Sequence, residues 1–430
     1  MNTPIVIVHC DANSFYCSCH RVFEPHLIGK PLGVLSNNDG CIIARTQELK
    51  ALNVAMGTPL FQVRSLVKRG DIMIRSSNYP LYGDMSERFM AVLETFSPDV
   101  EVYSIDEAFL RFDGFSVPDW HIRGQQIQSK VGRWTGLPIG VGIATTKVLS
   151  KLANYAAKRY RATGGVVDLT SPERQKKLMA ITPVEEVWGV GRQLAKKMKA
   201  QGIDTAFDLA QREPTSIQKQ FSIVEARLVK ELRGESCLPW EEQTDGNKHT
   251  IMCSRSFGRP VTAKHNIQEA VATYVARACE KLRAQGKASA KAQLFLRTSP
   301  FRDQDQQYSV NLNLALPWPT DSSQAWQHIA RKGLDSIFRE GYLYQKAGFL
   351  LLDIQDNQSL QNDLFQLSST KAQSSNAFIT TVDEINNRFG RNTLRSAASG
   401  FSTARWHMKQ NYISPHFTTR WQDLPRVRTT

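Results

Sequence analysis

The first apolar run, residues 5–8, is only four residues long and is broken at once by His9 and Asp11. A run of that kind predicts a short buried strand whose end presents Asp11. A second strand at about 100–104 delivers Asp106 and Glu107, and Ala108, Phe109 and Leu110 continue it as apolar positions. A third, at 139–143, carries glycines at 140 and 142. The helix predicted after it puts Val148, Leu149, Leu152 and Ala156 on one face, with Lys147, Lys151 and Lys158 beside them. From Asp168 to about Gly234 the pattern changes to short helices and glycine turns, and 235–249 reads as a polar linker. Beyond it lies a strand at 251–257. A helix at 266–285 follows, with Asn266 and Glu269 as a capping box and Gly286 as its stop. Strands at 293–297 and 310–316 come next, the latter alternating Val310, Leu312, Leu314 and Leu316 with polar or small residues. A helical stripe through Trp326, Ala330, Leu334 and Ile337, ended by Gly341, precedes a last strand at 348–354. The order β-α-β-β-α-β is a split βαβ unit. Residues 355–380, rich in Gln, Asn and Ser, read as a flexible tether to a basic tail. The fold class is therefore α+β and multidomain.

Composition narrows the partner. The chain has 430 residues and a formal net charge of +14. The excess is local: residues 145–202 carry +8 and residues 387–430 carry +7, while the remainder is close to neutral. Two basic stretches point to a polyanion, which on charge alone is RNA, DNA or an anionic membrane. The seven cysteines form no CxxC pair, which argues against a zinc ribbon and fits free thiols in a reducing cytoplasm. The apolar start is too short for a signal peptide or a membrane span, so the chain reads as cytoplasmic.

Four motifs carry candidate chemistry. Asp106 and Glu107, flanked by Ile105 and Phe109, are costly to bury unless they neutralise cations. With Asp11 they form a set of three carboxylates, which suits a pair of Mg²⁺ ions that activate an attacking hydroxyl and stabilise a leaving phosphate. The bland alternative is an exposed acidic loop. Phe15 and Tyr16 follow Asp11 closely and form either a wall against a nucleotide sugar or an ordinary helix start. Gly189-Val190-Gly191, opening a helix that bears Lys196, is a helix-hairpin-helix pattern that offers backbone N–H groups to a phosphate, or else a plain tight turn. No third glycine supports a dinucleotide fingerprint, and no GxxxxGK[ST] is present. Gln361-Asn362-Asp363-Leu364-Phe365 is an apolar patch in a polar stretch, either a surface turn or a peptide that docks Leu364 and Phe365 into a partner.

Together these segments resemble the Y-family DNA polymerases, and within them the UmuC-like branch. The resemblance rests on DANSFYCSCHRVFEP at 11–25, LSNNDGCIIARTQELKALNVAMGTP at 35–59, YSIDEAF at 103–109, VGIATTKVLSKLANYAAK at 141–158 and ISPHFTTRWQDLPRV at 413–427. It implies a right-hand architecture: palm at 1–22 and 80–165, small fingers at 23–79, helical thumb with the hairpin at 166–234, linker at 235–249, little finger at 250–355, and a C-terminal tail at 356–430. It implies that Asp11, Asp106, Glu107 and the carbonyl of Ala12 bind two Mg²⁺ ions. Tyr16 matches a steric gate against the ribose 2′-OH, and Lys50 and Lys158 match triphosphate contacts. Gln47 stands where some relatives have a tyrosine, and Arg111 where a carboxylate is frequent. Gln361, Asp363, Leu364 and Phe365 match a sliding-clamp-binding motif. The implied partners are damaged template–primer DNA, dNTPs, a UmuD′-like homodimer, RecA and the clamp, and the implied role is error-prone translesion synthesis in SOS mutagenesis. Two other classes fit parts of the pattern. A palm-type nucleotide cyclase shares two-metal chemistry but needs neither the hairpin nor the tail. A DNA-bound scaffold would not need an intact carboxylate set.

Overall fold

The computed structural model describes residues 5–115, 117–240, 249–357, 370–390, 392–400, 406 and 408–424, the side chains of 370–377 excepted. The chain divides into two compact units, Met1–Ser36 with Gly40–Asp245 and Tyr412–Thr430, and Gly246–Asn411 with Asn37–Asp39. Among the described residues no helix is long and apolar enough to cross a membrane.

The first unit is organised by a five-stranded sheet in the order Val100–Val102, Glu107–Phe112, Val6–Ala12, Ile139–Ala144, Val166–Asp168. The apolar start of the chain becomes the central strand of this sheet. Its period of two sends Val6, Val8, Cys10 and Ala12 into a core with Leu81, Phe89, Ile127 and Val131 from the helices behind. His9 and Asp11 face the other way. On that face lies the helix Lys147–Arg159, and its close approach explains the glycines of the neighbouring strand. A Cβ on Gly142 would stand 2.1 Å from the Ser150 carbonyl oxygen and 2.3 Å from the Asn154 nitrogen. Thr146 caps the helix by accepting from the Leu149 N–H.

Two smaller cores complete this unit. Leu35, Ile42, Leu49, Leu60 and Ile74 pack around a three-stranded sheet of Ile42–Arg45, Leu32–Leu35 and Met73–Ser76. Leu178, Val190, Met198, Leu209, Leu228 and Leu232 join the short helices between Pro172 and Leu232. Residues 412–424 return to this unit. The Ser76 and Tyr412 residues exchange two 3.0 Å hydrogen bonds, Asn78 Nδ2 donates to Ser414 and Pro415, and the Phe417 ring stacks on Phe23.

The second unit is the expected β-α-β-β-α-β. Its antiparallel sheet runs Ser309–Thr320, Lys287–Thr298, Tyr344–Leu352, Ile251–Val261, and Lys264–Arg283 and Ser323–Ile337 pack against it. Three expectations need correction. The first helix starts at Lys264 after an uncapped Ala263, so Asn266 and Glu269 lie inside it and form no capping box. The second ends at Ile337 with Phe338 as its cap, before Gly341, because Phe338 already turns to extended backbone. The end of the stretch read as tether, 355–380, overlaps the helix Thr370–Phe389, which is pinned to this unit by Asp383 accepting from Arg283 Nε and Nη2 at 2.6 and 2.9 Å.

Candidate active site

Antiparallel pairing of the central strand with Glu107–Phe112 sets Asp11 directly opposite Glu107. Asp106 and Glu107 do not extend the strand before them, as the sequence pattern implied. That strand ends at Val102, and Tyr103 to Asp106 form a turn. The Tyr103 and Ser104 N–H groups each donate to the Glu107 carbonyl at 3.1 Å, and the Ala12 N–H donates to the Asp106 carbonyl at 2.8 Å. A hairpin tip and a strand end are thus tied into one rigid edge that bears three carboxylates.

Their environments differ. His9, two residues before Asp11 and so on the same face, donates from Nε2 to Glu107 Oε2 at 3.0 Å. Lys151 Nζ donates to the same oxygen at 2.8 Å, and Lys158 Nζ pairs with Asp11 Oδ1. Burial works against the Glu107 charge, but the hydrogen bonds from His9 and Lys151 outweigh it and bring its pKa down to about 2. Asp106 moves the other way: burial first, then the charges of Asp11 and Glu107, push it up against the hydrogen bond its Oδ1 accepts from Ser104 Oγ at 2.7 Å. His9 is pushed down by its burial and donates as a neutral ring. Ligand atoms of His9, Asp11 and Glu107 lie within 4.8 Å of one another. The hard carboxylate oxygens of that cluster fit a Mg²⁺-type cation, and the two lysines supply the compensating charge. Asp106 is not in the cluster. His9 is, and the sequence reading had noticed it only as a break in an apolar run.

The neighbouring helix Phe15–Phe23 starts at a strained corner, with Ser14 at φ 48 and its hydroxyl donating to the Arg45 carbonyl at 2.9 Å. Tyr16 is half-buried and its ring stacks on Tyr82. Phe15 is 3% exposed and packs in the core beneath this corner. Lys50 is exposed on the helix Gln47–Ala51. Its pKa is lowered by partial desolvation and by the charges of Arg45 and Lys158, the last of which pairs with Asp11. Arg45 was missed because nothing in the spacing of 45, 50 and 158 groups them. Gly140 opposite Lys158 was a usable signal: a Cβ there would stand 3.3 Å from that lysine's chain.

In the third core the hairpin is as spaced, with a more specific internal logic. Gly189 has φ +95, and Val190 is buried, so it anchors the turn and offers no side chain to a ligand. Gly191 precedes the helix Arg192–Lys199 with no side-chain cap, and Lys196 is exposed on it. Trp188 reaches back toward the carboxylates. Its ring and that of Tyr103 flank Lys151 Nζ at 4.8 and 4.1 Å, and Trp188 Nε1 donates to the Tyr103 hydroxyl at 3.3 Å. Gln361, Asp363, Leu364 and Phe365 lie outside the described residues.

Comparison with known proteins now fixes the class. A Y-family DNA polymerase chimera of Dbh and Dpo4 superposes with a TM-score of 0.63 at 17% identity, covering 82% of this chain and all of that one. The fold is that of a Y-family DNA polymerase, α+β with palm, fingers and thumb plus a little finger. Residues 10–155 match the impB/mucB/samB family, residues 248–364 the C-terminal domain of that family, and residues 376–427 a domain of unknown function (DUF4113). Protein UmuC of Salmonella typhimurium strain LT2 is 45% identical over 421 residues, 97% of this chain and 99% of that protein. Protein ImpB of Salmonella typhimurium is 44% identical over 97% and 98% of the two chains, and Protein MucB of Escherichia coli 43% over 96% and 98%. The chain belongs to this UmuC/ImpB/SamB/MucB family of Y-family DNA polymerases. It is an error-prone, SOS-induced translesion DNA polymerase, and neither the cyclase nor the scaffold reading stands.

Proposed function

We propose that Asp11, Asp106, Glu107 and the Ala12 carbonyl hold two Mg²⁺ ions, that Tyr16 excludes the ribose 2′-OH, and that Lys50 and Lys158, joined by Arg45, receive the triphosphate. The observation that carries this is the pairing of Asp11 with Glu107 beside a helix whose Lys151 and Lys158 reach both carboxylates. When bound, the ions would lower the pKa of the primer hydroxyl and balance charge on the departing pyrophosphate. The chain's own part is positional. Glu107 is kept ionised by His9 and Lys151. Lys158 is held next to Asp11, and would be available to a phosphate if Asp11 held a cation. Gly191 and Lys196 contact DNA phosphates without reading bases. The domain limits are taken as 1–22 with 80–165 for palm, 23–79 for fingers, 166–234 for thumb and 250–355 for little finger, although the core of the short helices also takes in Val148, Leu149 and Leu152 of the palm range.

Damaged template–primer DNA and dNTPs are the substrates, and a UmuD′-like homodimer, RecA and a sliding clamp are the proposed partners. Extension of a primer across a template lesion, with the lone chain and then with each partner added, tests the reading. Extension that requires dNTPs and Mg²⁺ and rises with the partners supports it. No extension under any combination contradicts it.

A further inference from the structure

The Tyr16 ring does not stand alone. It stacks on Tyr82 with centroids 4.2 Å apart and planes 16° apart, and Tyr79 meets the two edge-on at 6.3 and 6.0 Å. Tyr82, on the helix Tyr79–Glu94, is fully buried, and its hydroxyl lies 2.9 Å from Nε2 of His20, which is also fully buried. His20 Nδ1 lies 3.4 Å from Glu24 Oε2, so the tautomer with its proton on Nδ1 faces the carboxylate and lets Nε2 accept from the Tyr82 O–H. Glu24 in turn accepts from Arg75 Nε at 3.0 and 3.2 Å. Arg75 sits on the strand Met73–Ser76, so the chain of contacts starts on a sheet and ends at a half-exposed ring beside the carboxylates.

We infer that Tyr82 is a specificity-determining positioning residue: it fixes the plane of Tyr16, and His20, Glu24 and Arg75 fix Tyr82, so that the choice of sugar depends on the whole relay. The inference rests on Tyr16 acting as the gate. Discrimination by clash requires a wall that does not yield. A tyrosine on the first turn of a nine-residue helix has two free side-chain torsions, and a neighbour that merely touched its edge would let it swing aside. A face-to-face partner removes that freedom only if it is itself immobile. The stacked ring of Tyr82 meets this condition because its hydroxyl is anchored at the far end to a buried imidazole. Loss of the hydroxyl leaves His20 Nε2 without its donor, and loss of the ring leaves Tyr16 without its backing.

The test is the ratio of ribonucleotide to deoxyribonucleotide incorporation, which cancels any general loss of active enzyme. Tyr82→Leu should raise the ratio about two- to tenfold, the range an aromatic pair commands. Tyr82→Phe, which keeps core volume and is the safer variant to fold, should raise it by a smaller factor, and so should His20→Leu. Tyr16→Ala should raise it most, and the double variant Tyr16→Ala with Tyr82→Leu should be no more permissive than Tyr16→Ala alone. If Tyr16→Ala leaves the ratio unchanged, the gate itself is wrong and this inference falls with it. If Tyr16→Ala opens the site while both Tyr82 variants keep the parental ratio, the gate stands and the relay is refuted. An additive double variant also refutes it, because Tyr82 would then act on the sugar independently of Tyr16.

Discussion

Glu107 receives two charge-assisted hydrogen bonds on one oxygen, from a buried imidazole and a lysine boxed by aromatic rings. Each such bond to a charged group is worth about 1.5–3 kcal/mol. Lys151→Met should therefore lower single-nucleotide incorporation about ten- to a hundredfold, through the lost anchoring of Glu107, and, because it removes a cation that shares that carboxylate with the metal, lower the Mg²⁺ concentration needed for half-maximal rate. A Mg²⁺ titration, with Mn²⁺ binding followed by electron paramagnetic resonance, reads both effects. An unchanged Mg²⁺ dependence would mean that Lys151 serves only packing. Glu24 gives a second residue-scale outcome. Burial raises its pKa, but the hydrogen bonds from His20 and Arg75 outweigh this and hold it at about 2, below the ordinary 4.5. A depressed acid stabilises the fold fully above about pH 4.5, and that stabilisation is lost as pH falls toward about 2. The difference in melting temperature between the parent and Glu24→Gln should then shrink from pH 6 to pH 3. A difference that stays constant would show that the pair adds nothing through its charge. At this scale the sequence was legible where chemistry is local: Asp11, Asp106 and Glu107 sit in short motifs. His20 and Tyr82 are 62 positions apart, and no periodicity connects them.

Secondary-structure elements carry the site through one close approach. The Lys147–Arg159 helix brings both active-site lysines, and it lies on the sheet only because Gly140 and Gly142 have no side chains there. Gly142→Ala must displace helix backbone, since the nearest atoms are a carbonyl oxygen and an amide nitrogen. Overpacking of this kind costs about 1–3 kcal/mol or more, and the shift should also withdraw Lys151 and Lys158. Denaturant unfolding and incorporation assays on this variant should therefore fall together. Full activity in a destabilised variant would separate the lysines from the helix seat. The glycines were visible in the sequence as a pattern inside a strand, but what approached them was not. Likewise Asn266 and Glu269 have cap spacing, yet the helix begins two residues before Asn266, with Ala263 as its uncapped N-cap. Tyr103 and Ser104, in the turn at 103–106, were read as strand because both suit either state until Ala12 and Glu107 claim the hydrogen bonds.

At the scale of the whole molecule, one basic stretch, residues 145–202, begins on the helix that bears Lys147, Lys151 and Lys158 and runs into the hairpin helix, and the other lies in the C-terminal tail. The alternation that defines the little finger was read in the right order, because each strand and helix stripe there is long enough to show its period. The tail was read only as a basic stretch, and its letters do not show that Tyr412 to Phe417 are threaded into the first unit by paired hydrogen bonds and a ring stack. Those contacts join residues over 330 positions apart, beyond the reach of any sequence pattern. The clamp motif belongs to this scale because its effect is to raise the local concentration of polymerase at a primer end. Leu364→Ala with Phe365→Ala should cut extension on clamp-loaded primers and leave clamp-free distributive synthesis unaltered. Equal extension by the double variant and the parent on clamp-loaded primers would make the motif a surface turn.

The central claim is that one edge of the palm sheet, bearing Asp11, Asp106 and Glu107, performs template-directed nucleotide addition while other surfaces hold the DNA. Single-nucleotide incorporation opposite a template lesion, measured for the parent, Asp106→Ala and Glu107→Ala alongside DNA affinity on the same preparations, tests this most directly. Removal of a ligand worth several kcal/mol of transition-state stabilisation should lower incorporation by roughly three orders of magnitude and leave DNA affinity within about twofold. Parental incorporation by either variant would contradict the account.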